Sequence, residues 1–298
     1  MDRRTHLKML GLLVSGPLAA SARALAADAP SRSGQPAVSR RIRYALTAQN
    51  QGSSAIAQPS LLVHAPVRQT STQRVDALSC TQPALVESDV FGNQTLRVQL
   101  EPLAPYAARM VTIDGELMLT DTPQAEALPP LLQKSYRASE RYVEAADPQI
   151  QTLASKLKSD SALRTAENIF EFMHRALHAD EYRERQWGAV RALQERAGSC
   201  ADHACLFAAL MRAAGHPARV VGGYVGADSA VLRVYDYHSW AEFHDEGTWR
   251  LADVHQSRFA RNAARYIAMR IGLNTAPGSL GADQRFRALG RALTVTMS

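Results

Sequence analysis

Three residues of reactive type occur in an order that suits nucleophilic catalysis: Cys200, His238 and Asp253. A cysteine thiolate can attack an amide carbonyl, a histidine can take and return the proton, and an acid can hold that histidine in one tautomer. We therefore predict that Cys200 is a nucleophile, His238 its base and Asp253 the residue that orients the base. This chemistry requires no cofactor and no metal ion.

The nucleophile is predicted to open a buried helix. Gly198 and Ser199 precede it, residues 200–214 are almost all apolar or small, and Gly215 supplies a left-handed stop. The N-terminus of a helix has unpaired N–H groups and the positive end of the helix dipole. Both favour a thiolate and can bind a developing oxyanion, so this position predicts a reactive cysteine.

The other two residues are predicted to lie on a β-hairpin. Two segments rich in strand-forming residues flank a polar, glycine-containing turn, and they cover residues 231–243 and 248–254. If Phe243 pairs near Trp249 across the turn, His238 comes to lie beside Asp253 or Val254, so that, to within a residue or two, His238 and Asp253 are cross-strand neighbours. A helix packed on that face of the sheet could then present its cysteine to the histidine.

Three blocks of the chain resemble the signature of the transglutaminase-like superfamily: GSCADHACLFAALMRAAGHPARVVGGYV, YHSWAEF and TWRLADV. In that family a cysteine opens a core helix, a histidine lies on a strand and an aspartate closes the next strand. The resemblance covers roughly residues 135–260 and implies the same roles for Cys200, His238 and Asp253. Many relatives have proline after the aspartate, whereas this chain has Val254 followed by His255.

The resemblance implies acyl transfer through a cysteine thioester. We expect hydrolysis of amide bonds in peptides or proteins, as in a protease or amidase, because water is the default acceptor unless a site excludes it. An amine acceptor would instead make the protein a cross-linking transglutaminase, and the family also contains deamidating enzymes. A non-catalytic peptide-binding module is the further alternative.

The composition of the chain, and the change from strand-favouring to helical patterns along it, predict two domains in an α+β fold. The chain has 298 residues, with 46% hydrophobic and 21% charged, which excludes a disordered chain and a membrane bundle. Residues 38–122 are predicted to form a β-sandwich-like domain, and residues 125–298 a papain-like transglutaminase core with a helix on an antiparallel sheet. The strand-favouring runs of the first domain are 42–48, 60–66, 95–103 and 108–119. Helical patterns begin after Pro123, the first of them over 125–143.

Residues 1–26 resemble an export signal. Basic residues including Arg3 and Arg4 precede an apolar run too short to span a bilayer, and small residues end at Ala26 in an AxA-like cleavage site. The paired arginines resemble a twin-arginine signal. We therefore expect a periplasmic or secreted protein with no stable membrane anchor.

The net charge of the chain does not indicate a polyanionic partner. Its formal net charge is +6, and cleavage after residue 26 would remove three net positive charges. The remaining basic residues are scattered instead of forming a run with interleaved aromatic residues, so nucleic-acid binding is not expected. The expected partner is a peptide or protein substrate.

The three cysteines, Cys80, Cys200 and Cys205, are an odd number, so at least one is not in an intramolecular disulfide. On one helix, Cys200 and Cys205 would have Cα atoms about 8 Å apart, beyond disulfide reach. A pair between Cys80 and Cys205 stays open. A metal site is not expected, because the chain has no CxxC pair and helical spacing separates its nearest cysteines.

Neighbouring polar residues have plainer interpretations. We expect Asp202 to be a first-turn acid, His203 to pack or cap, and Cys205 to lie in the core. We expect His244 and His255 to be turn and surface residues.

An oxyanion donor outside the helix is left unassigned. Tyr182, Gln186 and Trp187 are candidates by position, and each is expected to be structural.

Overall fold

The computed structural model describes residues 37–180, 186–272, 280 and 284–298. The predicted export signal, residues 1–26, lies outside the described residues. Among the helices that are described, none is long and apolar enough to cross a membrane.

Six strands form the first part of the described chain, and buried residues alternate with partly exposed ones along the longest of them. They are β1 (Val38–Asn50), β2 (Ser60–Ala65), β3 (Gln73–Cys80), β4 (Ala84–Ser88), β5 (Gln94–Gln99) and β6 (Ala108–Leu119). The four predicted strand runs match β1, β2, β5 and β6. The sequence pattern missed β3 and β4, because these strands are mostly exposed and lack a clear apolar face.

Five helices follow, with two short strands between them. They are α1 (Pro130–Ser135), α2 (Pro148–Leu157), α3 (Ala162–Ala176), β7 (His178–Ala179), α4 (Ala189–Glu195), β8 (Ala197–Gly198) and α5 (Cys200–Ala213). The helix predicted over 125–143 was wrong in extent. Its proline-flanked first turn runs only to Ser135, and Tyr142 with φ of 72° breaks any continuation.

Eight further strands and two 3-10 turns complete the described fold. They are β9 (Ala218–Val225), β10 (Ala230–Val231), a 3-10 turn (Val234–Asp236), β11 (Tyr237–Asp245), β12 (Thr248–Asp253), β13 (Arg258–Phe259), a second 3-10 turn (Ala263–Arg265), β14 (Tyr266–Ile271), β15 (Phe286–Leu289) and β16 (Leu293–Met297).

A central antiparallel sheet positions the candidate site. Its strand order is β13-β12-β11-β9-β14. Helix α5 packs on this sheet, and buried residues of α2, α3 and α4 join it in one hydrophobic core. The predicted α+β core, a cysteine-bearing helix on an antiparallel sheet, is confirmed.

Strands from late in the chain complete the sheets of the N-terminal region. One sheet has the order β10-β1-β6-β3 with β16 also paired to β1, and the other has the order β15-β2-β5-β4. Buried residues of β9 and β14, including Tyr224 and Ile267, share a hydrophobic core with the N-terminal strands. The described residues form one compact unit. The boundary between residues 38–122 and 125–298 stays a prediction.

Candidate active site

Helix α5 begins with a fully formed capping box. The Ser199 hydroxyl accepts the Asp202 backbone N–H at 3.4 Å, and the Asp202 carboxylate accepts the Ser199 backbone N–H at 3.0 Å. Cys200 is therefore the first residue of the helix, as predicted. Gly198 suits this entry because a Cβ there would come within 2.8 Å of the Asp202 side chain.

Asp202 also binds the backbone of residues 187 and 188 at the N-terminus of this helix. Its Oδ1 accepts the backbone N–H of Trp187 at 2.7 Å and that of Gly188 at 3.1 Å, while its Oδ2 accepts the Ser199 hydroxyl at 2.8 Å. The side chain is fully buried. The sequence pattern predicted only a first-turn acid at this position. The Ser-x-x-Asp spacing could have revealed the capping box, but no local signal points to residues 187 and 188.

His238 lies on β11, where it pairs with Gly223 of β9. The predicted register of the β11–β12 hairpin was wrong by one residue, since His244 and not Phe243 lies opposite Trp249. The reason is a tight two-residue turn, in which Glu246 and Gly247 both have positive φ, as a type I′ turn requires. The side chains of His238 and Asp253 nevertheless meet.

Asp253 ends β12 with its carboxylate buried and fully engaged. Its Oδ2 lies 2.7 Å from His238 Nε2 and accepts the Tyr266 hydroxyl at 2.8 Å, and its Oδ1 accepts the Gln256 backbone N–H at 3.0 Å. Burial alone would raise the pKa of this carboxyl group. The hydrogen bond and charge of His238, with the two other donors, lower the pKa below its ordinary value, so Asp253 is ionised.

Cys200 and His238 interact both by a side-chain hydrogen bond and electrostatically. Burial alone would raise the pKa of the thiol, but His238 and the backbone N–H groups of Ser239 and Ala201 lower it below its ordinary value. Burial would likewise lower the pKa of His238, yet Asp253 and Cys200 raise it to about 9. The arrangement favours a thiolate beside an imidazolium.

The geometry divides the two nitrogens of His238 between its neighbours. Asp253 occupies Nε2, which leaves Nδ1 for Cys200. Backbone hydrogen bonding from Ala201 at the helix start and from Ser239 on β11 contributes to the lowered pKa of the Cys200 thiol. These same donors could bind an oxygen that becomes negative on a carbonyl attacked by that sulfur.

The candidate donors outside the helix are otherwise engaged or not described. Tyr182 lies outside the described residues. The Gln186 side-chain amide donates to Cys205 Sγ at 2.9 Å, and the Trp187 backbone N–H is taken by Asp202. Their structural interpretation stays the better one.

The other cysteines and histidines can be compared with their predicted roles. All three cysteines are free, and Cys205 is buried as predicted. No cluster of three or more metal-ligating side chains in the described part of the chain could hold a metal ion. His203 is buried, as its packing interpretation required. The surface interpretation of His255 was wrong, because that side chain is half-buried and its Nδ1 has no solvent access.

Comparison with known proteins finds a matching family model and solved structures of similar fold. Residues 151–254 match the model of the transglutaminase-like superfamily, and Cys200, His238 and Asp253 all lie within the match. A candidate cysteine protease from Cytophaga hutchinsonii has a similar fold, with a TM-score of 0.60 and 18% identity over 88% of this chain and 90% of its own.

Two more distant solved structures are similar to parts of this chain. The periplasmic domain of TgpA from Pseudomonas aeruginosa has a TM-score of 0.40 and 15% identity, covering 72% of this chain and 88% of its own. LapG from Legionella pneumophila has a TM-score of 0.35 and 16% identity, covering 51% of this chain and 86% of its own. No curated protein matches the sequence.

Proposed function

We propose that this chain is a thiol-dependent acyl-transfer enzyme that acts on amide bonds of peptides or proteins, since residues 151–254 match the model of the transglutaminase-like superfamily. Cys200 is the nucleophile, His238 the acid and base, and Asp253 the residue that orients His238. The observation that supports this best is the continuous contact from Cys200 through His238 to Asp253, with Cys200 at a helix N-terminus.

The first half of the reaction forms a thioester. The Cys200 thiolate attacks the amide carbonyl carbon and forms a C–S bond, while backbone N–H groups stabilise the oxygen that gains the negative charge. The C–N bond then breaks, and the His238 imidazolium gives its proton to the departing amine. His238 is left neutral, and the acyl group is left on sulfur.

The second half regenerates the enzyme. Neutral His238 accepts a proton from water as the water oxygen attacks the thioester carbon. The C–S bond breaks, and a carboxylic acid leaves. The thiolate and imidazolium are restored, with Asp253 holding the ring through both steps.

We propose water as the acceptor, because Cys200 is only partly buried and water reaches such a site unless a closed pocket excludes it. Mass spectrometry of peptide products with and without a primary amine tests this choice. Hydrolysed peptide in both reactions supports it, whereas incorporation of the amine into glutamine side chains overturns it in favour of cross-linking.

Thiol labelling tests the enzyme itself, and Cys80 is the internal comparison. Cys80 is also free and not fully buried, but burial raises the pKa of its thiol. We expect iodoacetamide at neutral pH to modify Cys200 much faster than Cys80, as located by peptide mapping, and Cys200→Ala to abolish peptide turnover. Equal labelling of the two cysteines would favour the binding-module alternative, and turnover that survives the substitution would rule out Cys200 as the nucleophile.

The proposed site of action is the periplasm or the exterior, after cleavage near Ala26. The twin-arginine pattern at Arg3 and Arg4 supports export of a folded protein. Fusion of residues 1–36 to a reporter that is active only when exported folded tests the route. Export of that reporter in cells without the twin-arginine translocase overturns it.

A further inference from the structure

A second pair of histidines lies directly against the candidate site. His255 follows Asp253 by two residues, and His203 lies one turn after Cys200 on α5. The ring centroids of His255 and His203 are 5.6 Å apart, and those of His255 and His238 are 5.8 Å apart. Three imidazole rings, from three different elements, therefore form a continuous layer.

The polar atoms of this layer have few partners. His203 is 3% exposed, and neither of its ring nitrogens meets hydrogen-bond geometry, although the backbone of His178 lies beside the ring. His255 Nδ1 is also buried and without a partner. The side-chain partner recorded for His238 Nε2 is Asp253, so these rings contact His238 without displacing Asp253 from that nitrogen.

The other two rings of this layer, His203 and His255, are uncharged near neutral pH. Burial lowers the pKa of His255, and the charge of His238 lowers it further, more than the opposing influence of Asp253. Burial and the neighbouring His255 lower the pKa of His203 against the opposing influence of Asp202 and Asp253. His238 can therefore carry the single positive charge among the three rings.

His255 is the most exposed of the groups that meet here. It is half-buried, whereas His238 is 8% exposed and Asp253 is 1% exposed. A ring at this place limits the access of water to the bond between His238 and Asp253. An ion pair weakens when water raises the local dielectric constant, so limiting that access strengthens it.

We propose that His255 is a positioning residue, which covers the His238–Asp253 pair with a neutral ring and thereby maintains the thiolate of Cys200. The inference rests on the proposed function. His203 supports His255 from the helix side. Ring shape and neutrality are the properties that matter, so an apolar ring can replace the imidazole.

The test is the pH dependence of Cys200 alkylation by iodoacetamide in the full chain, located by peptide mapping. His255→Ala opens the cover, and His255→Phe keeps a neutral ring. His174→Ala is the matched control, because this exposed histidine contacts Ser257 in the same loop but does not touch the site. Thermal unfolding of each variant verifies that it is folded.

We expect the alkylation rate at pH 6 to fall about tenfold in His255→Ala, which corresponds to a rise of about one pKa unit in the thiol. His255→Phe and His174→Ala should stay within about threefold of the wild type.

A wild-type rate of alkylation in His255→Ala overturns the inference, and so does a His255→Phe protein that folds but reacts like His255→Ala. Failure of the proposed function is separate, because wild-type Cys200 would then itself react no faster than Cys80.

Discussion

Removal of the charge on Asp253 tests the electrostatic basis of the site most directly. In Asp253→Asn the side chain keeps nearly the same shape, and its single amide oxygen can still accept from either the Gln256 N–H or the Tyr266 hydroxyl, which bond to different oxygens of Asp253. It can no longer provide the negative charge 2.7 Å from His238 Nε2. The substitution therefore changes charge with little change in packing.

The size of the effect follows from the pKa of His238. That pKa is about 9, against an ordinary value of about 6.5, and the difference corresponds to about 3 kcal/mol in favour of the protonated ring. Asp253 makes the largest contribution that raises this pKa, ahead of Cys200. Loss of about 2 kcal/mol of this preference lowers the population of the thiolate–imidazolium pair about thirtyfold.

The assay is the rate of Cys200 alkylation at pH 7, with Tyr266→Phe as the control. Tyr266→Phe removes one donor to the same carboxylate but leaves the charge in place, so its rate should fall only a few-fold. We expect Asp253→Asn to react about thirtyfold more slowly than the wild type. A folded Asp253→Asn protein within threefold of the wild-type rate would refute the ion-pair reasoning.

Three further measurements follow from the structure. The rate of peptide turnover plotted against pH should be bell-shaped. It should fall at low pH as the thiolate is protonated, and at high pH, near about 9, as His238 loses its proton. A rate still rising at pH 10 would contradict the role of His238 as the proton donor. Asp202→Ala should lower the free energy of unfolding by about 3 kcal/mol, because the N–H donors of Trp187, Gly188 and Ser199 lose their acceptor. A loss of less than about 1 kcal/mol in a denaturant titration would contradict the stabilising role of these hydrogen bonds. Gly223→Ala should prevent stable folding, because its Cβ would lie 1.9 Å from the Ile267 carbonyl oxygen. Gly226→Ala is the control, since its Cβ would meet nothing closer than 4.0 Å. Thermal unfolding compares the two variants, and equal melting temperatures would show that the close approach at Gly223 is unimportant.

The limits of sequence interpretation are clearest in the hairpin. Alternation and turn residues predicted both strands, and these features act between residues close in sequence. The register depended on the number of residues in the turn, which is two in the structure, whereas the predicted pair of Phe243 with Trp249 left five residues between its members. Glu246 and Gly247 both have positive φ, which gives a two-residue turn. That backbone conformation is a property of the folded turn.

The N-terminal region shows a second limit. Its amphipathic strands were predictable because one face of each is buried, but β3 and β4 expose most of their residues and gave no such pattern. Strands β15 and β16 complete two of its sheets from more than 160 residues away. No local preference encodes such a pairing, since its free energy comes from the assembled sheet.

The sequence by itself determined the chemistry that this chain can offer. A cysteine after a capping serine, a histidine on a strand and an aspartate at the end of the next strand are local features, and their order in the chain identified Cys200, His238 and Asp253. Only the tertiary structure decided what surrounds them. Asp202 clamps Trp187, and His255 lies against His238, because folding brings these separate segments together. The hydrogen bonds and charges of these neighbours, acting against burial, then set the protonation states of Cys200, His238 and Asp253.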